Sequence, residues 1–179
     1  MKVGIIGITG ITLEFACRAA KLGYEVLVSS TGSSVLLKET VQRISGNIKT
    51  VTVSEAACAE ILILFIPREQ LESSLKKLPD MVGKIVLHTN NPIFYYEASA
   101  PVMIEGSSCR IIKALLPGIH LIKIFNSLID KHSSAAQKCH KSKTEIFYSG
   151  DDVRAKNIVK FFLDNLNFAG IEINKKCSI

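Results

Sequence analysis

Residues 2–29 read KVGIIGITGITLEFACRAAKLGYEVLVS, and this stretch decides the fold. Lys2-Val3-Gly4-Ile5-Ile6-Gly7 is a short apolar run of the kind that forms a strand buried on both faces. Ile8-Thr9-Gly10 follows as a turn. Ile11, Phe15, Ala19 and Leu22 then recur at intervals of four, four and three, which traces one face of a helix. Gly23 supplies the stop, and residues 24–29 (Tyr-Glu-Val-Leu-Val-Ser) read as a second strand. Strand, turn, helix and strand in this order make a βαβ unit.

The alternation continues outward from this unit. Ser34 is expected to cap a helix over 35–45, and residues 48–53 form a β-branched strand. Ser54 is expected to cap a short helix over 55–59. Residues 61–66 (Ile-Leu-Ile-Leu-Phe-Ile) are a continuous apolar strand suited to the middle of a parallel sheet. Pro67 closes it and starts a helix over 68–78. A strand at 84–88 leads into Asn90-Asn91-Pro92, and residues 93–106 read as an extended loop. Ser107 or Ser108 caps a helix through Leu116, and Pro117-Gly118 turns into a strand at 119–124. Residues 130–143 are polar and expected to be a mobile loop. A strand at 145–149, a helix at 152–166, a last strand at 170–173 and a tail at 174–179 complete the chain. The expected architecture is α/β: a doubly wound, mostly parallel, Rossmann-like sheet in three αβα layers, forming one dinucleotide-binding domain over 1–179.

Composition narrows the function classes. The chain of 179 residues is 47% hydrophobic and 21% charged, enough to bury a core. Its formal charge of +6 suits a phosphorylated cofactor. The basic residues never run beyond two in a row, and the 7% aromatics do not interleave with them, so no nucleic-acid partner is expected. The five cysteines are odd in number and lack a C-x-x-C spacing, which reads as reduced thiols. No metal site is expected, Cys139-His140 being an isolated neighbour pair. The N-terminus faintly imitates a signal peptide, but Glu14 and Arg18 interrupt it. No apolar run reaches the ~18 residues of a membrane span. The expectation is a cytoplasmic protein with no membrane partner.

The turn after the first strand must bring backbone N–H groups against a pyrophosphate, at a helix N-terminus carrying partial positive charge. The usual pattern is G-x-G-x-x-G. In that register this chain has Gly7, Thr9 and Thr12, with Gly10 one position late. The candidate phosphate loop is therefore Gly7, Ile8, Thr9, Gly10, Ile11 and Thr12. A Cβ at Thr9 would push a phosphate outward, although its hydroxyl can donate to one. Thr12 would space the helix slightly from the sheet.

Sites selective for NAD place Asp or Glu at the end of the second strand, on the ribose 2′-hydroxyl. Here that position reads Ser29-Ser30-Thr31-Gly32-Ser33-Ser34, without an acid. Hydroxyls and backbone donors suit a 2′-phosphate, and Lys38, one turn into the next helix, adds a charge. NADP(H) is the expected cofactor, with Ser29, Ser30, Thr31, Ser33, Ser34 and Lys38 as candidates to hold it. No Arg is present in the loop.

Further motifs lie in order along residues 1–173. They are Val3-Gly4-Ile5-Ile6-Gly7, Gly23-Tyr24-Glu25-Val26, Ile63-Leu64-Phe65-Ile66-Pro67, Gly83-Lys84-Ile85-Val86 and Asn91-Pro92. Leu116-Pro117-Gly118, Lys123-Ile124-Phe125-Asn126-Ser127 and Phe147-Tyr148-Ser149-Gly150-Asp151-Asp152 follow. On these residues the chain resembles the NADPH-dependent oxidoreductases that include the deazaflavin-coenzyme reductases of archaea and actinobacteria. The NADPH-binding domains of membrane ferric reductases look similar too. The resemblance implies that the 29–34 loop holds the 2′-phosphate. It implies that Ile66, Pro67, Asn91 and Pro92 lie along the nicotinamide, and that Phe125 and Asn126 border the acceptor site. It implies hydride transfer between stacked rings, with a flavin, a deazaflavin or another small molecule as acceptor. Two departures stand out. The loop lacks the family's later glycines, and the chain ends at Ile179, where family members continue beside the acceptor site. The acceptor pocket is then either incomplete or completed by a second subunit of a homodimer.

His88, at a strand end near the expected nicotinamide, is an acceptor-side candidate, with a structural role as the plainer alternative. Tyr95 and Tyr96 are expected to pack their loop, His120 and His132 to lie at the surface, and Asp151-Asp152 to cap a helix. Catalytic residues are not identified by the sequence. An alternative to the reductase is a non-catalytic NADP(H)-binding sensor or partner module, motivated by the altered loop. A third reading is the cofactor half of a larger imine or keto-acid reductase.

Overall fold

In the computed structural model, residues 1–30, 34–90, 94–97, 100–103, 107–126 and 143–173 are described. The first strand, β1 (Lys2–Ile6), is followed by α1 (Gly10–Lys21), β2 (Glu25–Ser29), α2 (Ser34–Gln42) and β3 (Ile48–Thr50). Then come α3 (Val53–Ala57), β4 (Ile61–Leu64), α4 (Arg68–Leu75) and β5 (Ile85–His88). Two strands, β6 (Phe94–Glu97) and β7 (Ala100–Met103), precede α5 (Ser107–Leu115) and β8 (His120–Asn126). The described chain closes with β9 (Thr144–Gly150), α6 (Val153–Asn165) and β10 (Phe168–Glu172).

Eight strands form one sheet in the order β10-β9-β8-β5-β4-β1-β2-β3. The run from β3 to β8 is parallel, β9 is antiparallel to β8, and β10 is parallel to β9. This is the α/β, doubly wound, Rossmann-like arrangement. Its strand order reverses between β1 and β4, and in such sheets the ligand crevice lies beyond the carboxyl ends of the strands at that point. The central strands are apolar on both faces, and each face has its own core. On one, Val3, Ile5, Phe15 and Ile63 pack with Phe162 and Phe168. On the other, Ile6, Leu62, Leu64 and Val86 pack with Leu71 and Ile112.

Several local expectations are corrected. Residues 51–53 do not continue β3. Thr52 instead accepts from Glu55 N at 3.2 Å, and Glu55 Oε2 accepts from Thr52 N at 2.8 Å. This reciprocal cap starts α3 earlier than the Ser54 cap would, and it outweighs the β-branched character of Val51 and Val53. Residues 93–106 are not all loop: β6 and β7 pair antiparallel, Tyr95 opposite Val102 and Tyr96 opposite Pro101. A two-stranded sheet tolerates Pro101 because one side of each strand needs no ladder bond. Pro67 caps α4 as expected, but the helix ends at Leu75 rather than at residue 78. Asp152 caps α6 as expected, accepting from Ala155 N at 2.6 Å. Of the expected loop at 130–143 only Lys143 is described, and the tail 174–179 lies outside the described residues, as do His132 and Cys139-His140.

One long-range clamp fastens the two ends of the sheet's first core. The Arg18 guanidinium donates to the carbonyls of Leu166, the C-cap of α6, and Asn167, the residue after it, at 3.1 and 2.8 Å. It also lies 4.0 Å above the Phe168 ring.

Candidate functional site

The turn between β1 and α1 is closed by three interlocking contacts. Gly7 takes φ +92°, and a Cβ there would sit 1.7 Å from the Phe65 carbonyl oxygen. Glycine is thus required by conformation and by the close passage of the β4 exit. Gly7 N donates to Ser29 O at 2.9 Å, which joins the turn directly to the end of β2. Thr9 caps α1 in extended conformation, its hydroxyl accepting from Thr12 N at 3.4 Å.

Thr12 stands where the usual pattern has its last glycine, and it is fully buried. Its hydroxyl accepts from Thr9 N at 2.8 Å and has the carbonyls of Gly7 and Thr9 at 3.0 and 3.2 Å. The side chain folds back into the turn and fills it. Close contact between helix and sheet is instead made on the other face: a Cβ at Gly4 would lie 2.0 Å from the Ala56 carbonyl of α3. That requirement at Gly4 carried no sequence signal beyond the glycine itself.

What remains open is the mouth of the turn. Gly10 begins α1 with nothing within 4 Å of a Cβ position. Among the described residues, the N–H groups of Ile8, Gly10 and Ile11 have no acceptor. The first turn of α1 contains no acid. The Thr9 hydroxyl proton has no acceptor nearer than Thr12 Oγ1 at 3.4 Å. Unpaired donors at a helix N-terminus, open space before them and no carboxylate fit a phosphate. The residues present therefore suit a dinucleotide.

The β2 end begins with Ser29, which is buried, and Ser30, which is half-buried. Thr31 and Ser33 lie outside the described residues, and Ser34 is described by its backbone alone as the start of α2. Lys38 is exposed on α2 and lines a groove of about 570 Å³ against Lys49 and Thr50 of β3. The groove runs along the sheet edge and includes no residue of the Gly7 turn, so it is separate from the phosphate loop.

On the other side of the crevice, Ile66 is buried and Pro67 exposed. The side chain of Asn90 is bonded to both polar groups of Ile66: Oδ1 accepts from Ile66 N at 3.3 Å, and Nδ2 donates to Ile66 O at 2.6 Å. Asn91 and Pro92 lie outside the described residues. Phe125 is half-buried on β8, with the Lys123 ammonium 5.8 Å from its ring centre. Asn126 ends β8 opposite Ile146. Lys123 Nζ donates to the Asn90 carbonyl.

His88 ends β5 between Leu64 of β4 and Lys123 of β8. It is fully buried, and neither ring nitrogen has a partner among the described residues. Burial first, then the nearby Lys123 charge, push its pKa down to about 3. The Leu64 carbonyl opposes this weakly without reaching hydrogen-bond geometry. The imidazole is neutral at physiological pH. Among the described residues no cluster of three metal-ligating side chains exists. No helix among them is long and apolar enough to cross a membrane.

The α/β sheet and the open N-terminus of α1 suit a nucleotide-binding protein. Residues 2–92 match the family of coenzyme F420-dependent NADP oxidoreductases, and the chain belongs to it. Among solved structures it is similar to a hypothetical protein of Sinorhizobium meliloti, with 25% identity, 96% of this chain and 83% of that one covered, and a TM-score of 0.74. A putative F420-dependent NADP reductase of Arthrobacter matches with 20% identity, 99% and 86% coverage and a TM-score of 0.69. An imine reductase of Aspergillus terreus in complex with NADPH4 shares 17% identity and a TM-score of 0.64, this chain spanning 54% of its length. No curated protein matches the chain by sequence.

Proposed function

We propose that the protein passes a hydride between NADPH and a flavin-like, deazaflavin or other small conjugated acceptor. The observation that carries this reading is the joined pair of turns at Gly7 and Ser29. Gly7 N–H is spent on the Ser29 carbonyl, which holds the open end of α1 beside an end of β2 that carries hydroxyls in place of an acid. Gly10 and Ile11 N–H would take the pyrophosphate, helped by the Thr9 hydroxyl. Ser29, Ser30 and the residues beyond them would take the 2′-phosphate, with Lys38 adding long-range charge. Ile66 and Pro67 would form the shelf for the nicotinamide. When bound, the cofactor supplies the hydride. The chain orients the rings and excludes water. His88, neutral and fully buried, is enclosed between β4 and β8 rather than lining the crevice.

The family's name supports a deazaflavin as acceptor. Stopped-flow absorbance at the nicotinamide band, with deazaflavin, flavin and imine acceptors, tests the reading. Acceptor-dependent loss of NADPH absorbance is expected. NADPH binding without any such loss would leave a cofactor-binding module instead. Calorimetric titration with NADPH and NADH tests the cofactor separately, and equal affinity for both would remove the 2′-phosphate assignment.

A further inference from the structure

The β4–β5 ladder shows how the expected nicotinamide shelf is held. These strands pair in register from Ile61 with Ile85 to Leu64 with His88. Thr89 N then donates to Leu64 O at 3.0 Å, the last backbone bond between them. Continued by two residues, the register sets Ile66 opposite Asn90. There the backbone of Asn90 turns away, and its carbonyl accepts from the Lys123 ammonium. Its side chain takes over the ladder, with Oδ1 facing the Ile66 N–H and Nδ2 facing the Ile66 carbonyl. The amide orientation follows from this pairing, since the reverse would set donor against donor. Ile66 precedes Pro67, which has no N–H to extend the strand. A side chain with one donor and one acceptor is what the Ile66 groups require in a half-buried place.

We propose that Asn90 is a positioning residue for hydride transfer: by imitating a neighbouring strand, it fixes the 66–67 peptide against which the nicotinamide lies, and Lys123 anchors it from β8. This rests on the reading given under Proposed function. Asn90 is not assigned contact with substrate or cofactor. Its role is to hold Ile66, and small displacements of such a shelf matter because hydride transfer is steep in distance and angle.

The test compares the wild type with Asn90→Ala, Asn90→Asp, Lys123→Met and Lys123→Arg. Three quantities are read: amide hydrogen exchange at Ile66 in the cofactor-free protein, the NADPH dissociation constant, and the single-turnover rate of NADPH oxidation. For Asn90→Ala, Ile66 exchange is expected to rise about tenfold or more. The dissociation constant is expected to stay within about threefold, while the transfer rate falls about tenfold or more. Asn90→Asp keeps the acceptor and loses the donor, so it falls between; it replaces Asn90→Ala should that variant fail to fold. Lys123→Met is expected to move the same way as Asn90→Ala, and Lys123→Arg to restore most of the rate.

Unchanged Ile66 exchange in both Asn90 variants overturns the strand-imitating contact. Raised exchange with an unchanged transfer rate overturns the positioning role. A wild type that oxidises no NADPH overturns the functional reading and the positioning role with it, while Ile66 exchange still reports the contact. The two failures are therefore distinguishable.

Discussion

The two turns flanking the crevice are both closed by side chains standing in for backbone, but at different range. In the Gly7 turn, Thr9 and Thr12 are three residues apart. In the Ile66 turn, the substitute comes from Asn90, 24 residues away. The local device pre-forms a loop whose usual glycines are missing. The distant one forms only once β4 and β5 are paired in register. One turn is thus set largely by its own sequence, whereas the other reports the assembly of the sheet.

The largest effect is expected at Gly7. Gly7→Ala would place a Cβ 1.7 Å from the Phe65 carbonyl and force a side chain into φ +92°. Strain and overpacking together should cost about 3–5 kcal/mol. Because Phe65 leads into Ile66, this substitution disturbs both turns. Urea unfolding should show the loss, and NADPH binding by the surviving folded protein should be lost in calorimetry. A loss below about 1 kcal/mol would mean that the two turns are not in contact as described.

On the Ile66 side, pH gives the next largest effect. His88 has a folded pKa of about 3, below its ordinary 6.5. Below pH 6.5 the unfolded chain binds a proton that the folded chain refuses, so stability is complete above that pH and declines as acid is added. The decline continues down to about pH 3 at up to about 1.4 kcal/mol per unit, or about 2 kcal/mol at pH 5. His88→Leu, close in size and incapable of charging, should flatten this part of the urea-midpoint profile. An unaltered profile would move the acid sensitivity to other groups.

These contrasts explain what the sequence could reveal. The βαβ start was legible because Ile11, Phe15 and Ala19 repeat at helical spacing between two apolar runs, and Phe15 and Ala19 are indeed fully buried. The absence of an acid after β2 was legible because it is a single local position. Thr9-x-x-Thr12 carried the spacing of a reciprocal cap, yet comparison with the glycine pattern made both threonines look like defects. Asn90 and Lys123 were not legible as a pair, since they lie on different strands and meet only through the β4-β5-β8 register. The β6–β7 pair was obscured by Pro101, which reads against a strand until its partner strand is known.

Thr12 holds the local turn through its hydroxyl. Thr12→Val keeps the shape and removes the hydroxyl, leaving Thr9 N–H and the Gly7 carbonyl without their partner. The expected cost is about 2 kcal/mol in stability. NADPH affinity should weaken about tenfold as the mouth of the turn loosens. Thr12→Ser keeps the hydroxyl and should retain most of both. Calorimetry and urea unfolding on the pair separate this from a steric role: if Val and Ser behave alike, the hydroxyl does not hold the turn.

Gly10 should give the smallest stability effect and the cleanest separation of folding from binding. It begins α1 with open space around its Cβ position, unlike Gly7. Gly10→Ala should therefore leave the unfolding free energy within about 0.5–1 kcal/mol, on the stabilising side, because alanine has less freedom to lose in a helix. The same methyl group would stand in the space before the free N–H groups. NADPH affinity should fall about tenfold with no loss of melting temperature. Affinity that is unchanged in this stable variant would place the pyrophosphate elsewhere and leave the open end of α1 as an ordinary solvated helix start. Weakened affinity in a fully folded protein would mark Gly10, one residue late in the glycine pattern, as the glycine that admits the phosphate, with Gly7 serving the fold.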